Sequence, residues 1–370
     1  MIRILHIIGR RPVGGIGGFL LSYQKAIDTT EIQFDYLLCS DTEPNNFDFV
    51  VNEYGAKVYQ APSLKLSNFK KIKKIVKQIL LLENYDAVHL HSANMGFLCL
   101  KIAKQCGVKL RIVHSHSTKF STNKLKSVRN YFLCKYNKKY LNSMFACGKD
   151  AGIAMFGLRN LKNITIIPNS ILSEKFRLEN TIRLKLRESF GITNEIALCY
   201  VSRLTNGKNH ELLIKCMQIL KEYNFKLFFI GDGENEKELK EKCIVYNVEK
   251  NVFFLGRRND VNQVLMAMDI FCMPSKFEGF PVVLVEAQAS GLPCVISNRI
   301  TDEVVFSNNV MIPNDFDVEK WCETIIKASG IKRYDGVSLI RNMGYDVNIS
   351  AKKLTNKYKE LLEKLNWVKR

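Results

Sequence analysis

The chain has 370 residues, 46% of them hydrophobic and 25% charged. That balance excludes a mainly disordered chain, a collagen and a coiled coil, and the length suggests two or three domains at roughly 100–200 residues each. Lys and Arg number 55 against 36 Asp and Glu, a formal net charge of +19, which points to an anionic partner: nucleic acid, an anionic membrane surface or a phosphorylated substrate. The eleven cysteines include no CxxC pair, and most lie in apolar runs such as ALCYV around Cys199. They read as small core residues in a reducing compartment, not as a disulfide framework. The amino-terminal MIRILHIIG is too short an apolar run for a signal peptide, and no stretch approaches the ~20 apolar residues of a membrane span. The expectation is a cytoplasmic protein, attached at most to a membrane face.

Short apolar runs alternate with helix-length amphipathic segments. IRILHII (2–8) precedes a Gly-rich turn and a helix-like stretch to Ile27, and FDYLLC (34–39), DAVHLH (86–91), LRIVHS (110–115) and SMFAC (143–147) are further strands. Between them, residues 70–82 place Ile72, Ile75, Val76, Ile79 and Leu80 on one helical face. A second series comprises strands at 196–202, 225–231, 251–256, 269–274 and 292–297, with helices at 209–222, 234–246, 260–268 and 282–290. Apolar strands alternating with helices predict parallel sheets covered on both faces. Two series predict an α/β protein of two doubly wound, Rossmann-like domains facing a cleft, with a seam near IIPNS (166–170) and the polar stretch 173–195. In such sheets ligands bind beyond the carboxyl ends of the strands, so the chemistry is sought there.

The glycines of GGIGGF, Gly14 to Phe19, follow the first strand and precede a helix. They let the backbone approach an anion, and the helix N-terminus offers free N–H groups to a diphosphate. A dinucleotide fingerprint is the rival, but G-x-G-x-x-G is not matched, and Asp41 is the only acid near the end of the second strand. A plain strand–helix turn is the remaining alternative. Two His-x-His pairs, His89/His91 and His114/His116, each put both rings on one strand face. A metal site is conceivable, yet no acidic ligand cluster accompanies them. His89 reads as a packed core histidine, and His116, furthest beyond its strand, as the ring that touches substrate.

Arg203 and Lys208 flank a turn containing Gly207 directly after a strand. There a guanidinium fork and an ammonium can converge on one diphosphate; a solvated loop with scattered charges is the alternative. In SKFEGFPVVLVEAQASGLPCVIS (275–297), Glu278 precedes a Gly279-Phe280-Pro281 turn, and Pro281 suits the start of a helix. The backbone N–H groups of Phe280, Val282 and Val283 are then placed to hold an anion. Glu286 is embedded among apolar residues, where a carboxylate is costly unless bonded. Ribose hydroxyls would satisfy it; a buried structural carboxylate is the alternative, and for Glu278 an ordinary N-terminal acid favoured by the helix dipole.

Arg203/Lys208 followed by Glu-x7-Glu, with the Gly-rich loop and the HSH segment, resembles the GT-B-fold retaining glycosyltransferases of family GT4. IIPNSI (166–171), GDGE (231–234) and FLGRRNDV (254–261) are similar to that family's segments, and the HSHS form of the histidine segment resembles its capsular and exopolysaccharide branch. The resemblance covers nearly the whole chain. It implies an N-terminal acceptor-side domain over 1–170, a nucleotide-sugar-binding domain over 171–345, and a C-terminal helix over 346–370 that crosses back to the first domain. It implies that Gly15, Ile16 and Gly17 lie against the donor diphosphate and that His116 contacts the transferred sugar, with His114 less defined. Arg203 and Lys208 bind the diphosphate, the backbone near Arg257 brackets the base, and Gly279, Phe280, Pro281 and Val282 line the donor site. Glu278 bonds the sugar hydroxyls and Glu286 the ribose. No metal and no cofactor is implied, in keeping with Asp232 standing alone where a DxD pair would be.

The implied function is a retaining hexosyltransferase that moves a sugar from a nucleotide sugar, UDP being the expected nucleotide, to a lipid-linked saccharide or glycan in bacterial surface polysaccharide assembly. The competing expectations are a non-catalytic partner subunit of the same fold and a sugar-nucleotide epimerase; the motif mismatch opposes a dehydrogenase. Residues 63–140 hold 17 Lys and Arg against only Glu83 and Asp86. With KKIKK (70–74) and RNYFLCKYNKKY (129–140), this segment is expected to face an anionic membrane leaflet. Nucleic acid is the rival partner, unsupported by any helix-turn-helix, RNA-binding or zinc motif.

Overall fold

The computed structural model describes residues 1–12, 14–118, 120 and 124–367. Lys119 of the basic segment and Lys369 near the chain end lie outside them. The chain divides into two compact units, Met1–Ser170 with Val347–Arg370, and Ile171–Asp346.

The amino-terminal unit runs β1 (Ile2–Ile8), α1 (Gly14–Ala26), β2 (Ile32–Cys39), α2 (Asn46–Glu53), β3 (Val58–Ala61), α3 (Phe69–Leu82), β4 (Ala87–Leu90), α4 (Gly96–Gln105), β5 (Leu110–Ser115), α5 (Lys124–Tyr136), β6 (Ser143–Ala146), α6 (Lys149–Phe156) and β7 (Ile164–Ile166). The carboxy-terminal unit runs α7 (Asn180–Ser189), β8 (Ile196–Val201), α8 (His210–Leu220), β9 (Phe225–Ile230), α9 (Glu236–Val245), β10 (Val252–Phe254), α10 (Val261–Ala267), β11 (Ile270–Met273), α11 (Val282–Ala289), β12 (Cys294–Ile296), β13 (Val310–Met311), α12 (Val318–Ser329) and α13 (Gly336–Asn342). The last helix, α14 (Val347–Trp367), packs into the amino-terminal unit.

Both sheets are wholly parallel. Their orders are β3-β2-β1-β4-β5-β6-β7 and β10-β9-β8-β11-β12-β13. Each order reverses direction beside the first strand of its unit, between β1 and β4 and between β8 and β11. Parallel strands need crossover helices, which cover both sheet faces, and this is why β1 and β8 are apolar along both faces: Ile4, Leu5, Ile7 and Ile8, and Ala197, Leu198, Cys199 and Tyr200, are all buried. On α3 the expected apolar face is buried at Ile72, Val76, Ile79 and Leu80, while Lys70, Lys71, Lys73, Lys74 and Lys77 are exposed.

The unit boundary at Ser170/Ile171 falls between IIPNS and the polar stretch 173–195. That stretch contains α7, which has no buried residue; Arg183 and Arg187 reach the two carboxylate oxygens of Asp269 at 2.5 and 2.8 Å, and Arg183 also donates to the carbonyls of Met266 and Met268. One expectation is corrected: the glycines of 14–18 do not form a turn. They are the opening residues of α1, and the turn after β1 is made by residues 9–12. Glycine costs a helix about 1 kcal/mol relative to alanine, so four of them in α1 keep its N-terminal surface bare at a helix-stability cost. A Cβ at Gly15 or Gly18 would meet nothing within 4 Å, whereas at Gly17 it would press on the Pro12 carbonyl carbon at 3.3 Å.

Candidate active site

In the carboxy-terminal unit the loops after β8, β9, β10 and β11 are laced together by their backbones. Leu204 N–H donates to the Asp232 carbonyl at 2.8 Å, Asn235 N–H to Leu204 O at 3.1 Å, Gly231 N–H to Gly256 O at 2.8 Å, and Lys276 N–H to Gly207 O at 2.9 Å. Gly231 has φ +136, and a Cβ there would lie 2.0 Å from the Ser202 carbonyl oxygen, so GDGE needs glycine for this close approach.

These loops bring Lys208 against Glu278, Nζ to Oε1 2.5 Å, although the two are seventy residues apart. The same carboxylate oxygen accepts from Ser275 Oγ at 2.6 Å. Since Ser275 spends its proton there, the Tyr200 hydroxyl is the donor in their 2.5 Å contact. A buried chain, Tyr200 to Ser275 to Glu278, thus holds the partner of Lys208. Arg203 is exposed and has no ion-pair partner among the described residues. The expected convergence of two free cations therefore becomes one free guanidinium and one ammonium already positioned by Glu278.

Pro281 caps α11, which has no side-chain cap and no acid in its first turn, so its opening N–H groups, Val282 and Val283 included, are unspent by side chains. Phe280 stacks on Tyr345 at 5.9 Å. Glu286 lies partly exposed on α11; burial raises its carboxyl to about 7, and it has no hydrogen-bond partner among the described residues. Gly279 has no atom within 4 Å of a would-be Cβ. Arg257 is exposed after β10.

In the amino-terminal unit five of the six histidines form one cluster. His6 from β1, His89 and His91 from β4 and its end, and His114 and His116 from β5 and its end lie edge to edge and face to face. His89 is fully buried and bonded to the Tyr358 hydroxyl of α14 at 2.5 Å, a packed core histidine. Phe19, the end of the GGIGGF motif, packs on the rings of His91, His114 and His116, so the start of α1 and the histidines share one locality. Burial pushes His6 and His116 down to about 3 and holds His89, His91 and His114 well below the ordinary imidazole value of 6.5, so all five rings are neutral. One nitrogen each from His6, His89 and His91, and from His91, His114 and His116, lie within 4.8 Å of one another. Yet the rings of His114 and His116 are stacked at 4.0 Å and 24°, and those of His89 and His91 at 4.4 Å and 14°. A nitrogen lone pair lies in its own ring plane, so a cation in the plane of one stacked ring lies out of the plane of the next. The arrangement suits hydrogen bonding, not shared coordination.

Sequence reasoning missed His6, Tyr358, Phe19, Ser275 and Tyr200. The signal for His6 was a single polar residue in the middle of an apolar strand.

Two parallel doubly wound domains, the second with cations and a bare helix N-terminus at its switch point, are the architecture of the GT-B fold. Residues 183–331 match the family model described as glycosyl transferases group 1. The chain is 31% identical to a putative glycosyltransferase, EpsF, of Bacillus subtilis strain 168, over 98% of this chain and 97% of that one. It is 30% identical to the UDP-Gal:alpha-D-GlcNAc-diphosphoundecaprenol alpha-1,3-galactosyltransferase of Escherichia coli, over 77% and 75%. The crystal structure of a glycosyltransferase from Rickettsia africae superposes with a TM-score of 0.80 over 98% of both chains at 17% identity. The chain belongs to the group 1 glycosyltransferases and has their GT-B fold.

Proposed function

We propose that this glycosyltransferase transfers a hexose, with retention of configuration, from a UDP-sugar to a lipid-linked saccharide in surface polysaccharide assembly. The observation that carries the donor reading is the Lys208–Glu278 pair, with exposed Arg203 in the same loop after β8 and the start of α11, free of a side-chain cap, after β11. The Escherichia coli relative, named for a UDP-sugar donor and a diphosphoundecaprenol-linked acceptor, supports the substrate class.

In this reading the sugar leaves through an oxocarbenium-like state while negative charge collects on the departing diphosphate. Arg203, Lys208 and the α11 N–H groups bind that charge more strongly than the ground state, which is what lowers a barrier. Glu278 has a second carboxylate oxygen for sugar hydroxyls, Gly279 and Phe280 let the donor approach the backbone, and the backbone around Arg257 brackets the base. Two ribose hydroxyls would satisfy the unbonded carboxylate of Glu286. The roles proposed for the amino-terminal unit are the diphosphate for Gly15, Ile16 and Gly17 at the start of α1 and the sugar for His116. No step calls on a metal. The test is release of nucleoside diphosphate from a panel of UDP- and GDP-sugars, with and without a polyprenyl-diphosphate saccharide. Release from a UDP-sugar that depends on the acceptor is expected. Turnover without acceptor would indicate an epimerase or hydrolase, and none with any donor would indicate a non-catalytic relative.

We also propose that the basic segment 63–140 docks on an anionic leaflet from the cytoplasmic side, bringing the site to a lipid-linked acceptor. Among the described residues no helix is long and apolar enough to cross a membrane. Helix α5 exposes Leu125, Val128, Tyr131, Phe132 and Tyr136, with Arg129 and Lys135 exposed among them: apolar side chains flanked by cations, as in helices that lie in the interface. The protein is expected to sediment with phosphatidylglycerol vesicles at moderate salt and less so as salt rises, and Phe132→Glu to weaken this about tenfold. No uptake by anionic vesicles would overturn the docking.

A further inference from the structure

The ends of three strands of the carboxy-terminal sheet converge on one serine. Ser275, after β11, is fully buried, as are Tyr200 near the end of β8 and Ser297 after β12. Ser275 Oγ lies 2.5 Å from the Tyr200 hydroxyl and 2.6 Å from Glu278 Oε1, and the Ser275 carbonyl accepts from Ser297 Oγ at 2.6 Å. The protons of this chain have one arrangement. The Glu278 carboxylate, paired with Lys208, can only accept. Ser275 therefore aims its hydroxyl hydrogen at Glu278, and Tyr200 aims its own at Ser275 Oγ. Donation from Tyr200 occupies the side of the oxygen toward which the serine hydrogen could otherwise turn.

Glu278 Oε1 thus receives two donors from different elements, the Lys208 ammonium at 2.5 Å and the Ser275 hydroxyl at 2.6 Å. Its Oε2 receives none among the described residues and is not enclosed, the side chains of Lys208 and Glu278 being 22% and 14% exposed. A carboxylate is planar, so pinning Oε1 from two directions also sets where Oε2 lies. Lys208 uses one N–H on Glu278 and keeps the other two for a further anion. One rigid assembly, wholly within the carboxy-terminal unit, therefore presents donor hydrogens and, at a fixed offset from them, one acceptor oxygen.

We propose that Ser275 and Tyr200 are positioning residues for donor-sugar specificity: by holding Glu278 Oε2 at a fixed place relative to the Lys208 ammonium, they set which hydroxyl of the transferred sugar is read at a given reach from the diphosphate. The proposal rests on the reading that Lys208 binds the diphosphate and Glu278 the sugar hydroxyls. A donor lacking the hydroxyl that is read leaves a charged oxygen without its partner, which is how a hydrogen-bonding site rejects an analogue. Neither Ser275 nor Tyr200 touches the sugar. Their effect passes through the orientation of one carboxylate.

The test is a donor scan in the full chain. Of UDP-glucose, UDP-galactose and their N-acetylhexosamine counterparts, the donor that is turned over is compared with its 3-deoxy, 4-deoxy and 6-deoxy analogues in the wild type, Glu278→Gln, Ser275→Ala and Tyr200→Phe. The quantity read is the ratio of kcat/KM between two donors within one variant. That ratio cancels the fraction of enzyme that is folded, so a merely structural role leaves it unmoved. In the wild type one deletion is expected to cost about 10²-fold or more. Glu278→Gln and Ser275→Ala should each cut that cost about tenfold and Tyr200→Phe about threefold, with the costs of the other deletions held within about twofold. A cost cut by Glu278→Gln and left intact by Ser275→Ala would overturn the positioning role. A cost left intact by Glu278→Gln would instead overturn the reading that Glu278 meets the sugar, as would turnover of none of the four donors.

Discussion

Lowering the pH from 7 to 5 is expected to weaken the amino-terminal unit by about 4 kcal/mol. The five clustered histidines are neutral in the folded protein because burial penalises their cations, which pushes His6 and His116 to about 3 and the other three well down from 6.5. A histidine whose folded value is depressed contributes fully above its unfolded value of about 6.5 and loses that contribution as pH falls toward the folded value. At pH 5 the unfolded chain gains about 2 kcal/mol for each imidazole it protonates and the fold cannot, about 4 kcal/mol for His6 and His116 together. His89, His91 and His114 act in the same direction. A domain's whole stability is about 5–15 kcal/mol. Urea midpoints followed by circular dichroism should therefore fall steeply between pH 6.5 and 5. Replacing one buried ring, as in His6→Phe, should flatten that slope by about one proton. A midpoint unchanged down to pH 5 would mean that the rings are hydrated and not buried.

Most of the fold was legible in the sequence, because a strand buried on both faces is an unbroken apolar run. IRILHII, LRIVHS, IALCYV and FKLFFI fall within a residue or two of β1, β5, β8 and β9. Some of the elements that escaped have little burial to write into their composition, although α4 and α12, which bury an apolar face each, escaped as well. The edge strand β3 buries only Ala61, β13 has two half-buried residues, and α7 has no buried residue and is held by two arginines together with half-buried Leu186. In the site, Arg203, Lys208, Glu278 and His116 could be picked out because they follow strands. Their partners could not. Nothing local to Lys208 announces Glu278, and nothing in the two His-x-His pairs announces His6 or Tyr358. Those contacts follow from strand register, His6 beside His89 on adjacent strands, and from the return of α14 to the first unit.

The central claim is that cations after β8 stabilise a departing sugar diphosphate. The kinetics of Arg203→Ala and Lys208→Ala with a UDP-sugar and a lipid-linked acceptor test it most directly. Removing one preorganised donor to developing charge costs about 10²–10³ in kcat, and each variant is expected to show that loss. Their stabilities should differ. Arg203 is exposed, so its loss should change unfolding by less than about 0.5 kcal/mol, whereas losing Lys208 leaves Glu278 without its counter-ion and costs about 1–3 kcal/mol. Both variants, folded and within threefold of wild-type kcat, would contradict the account.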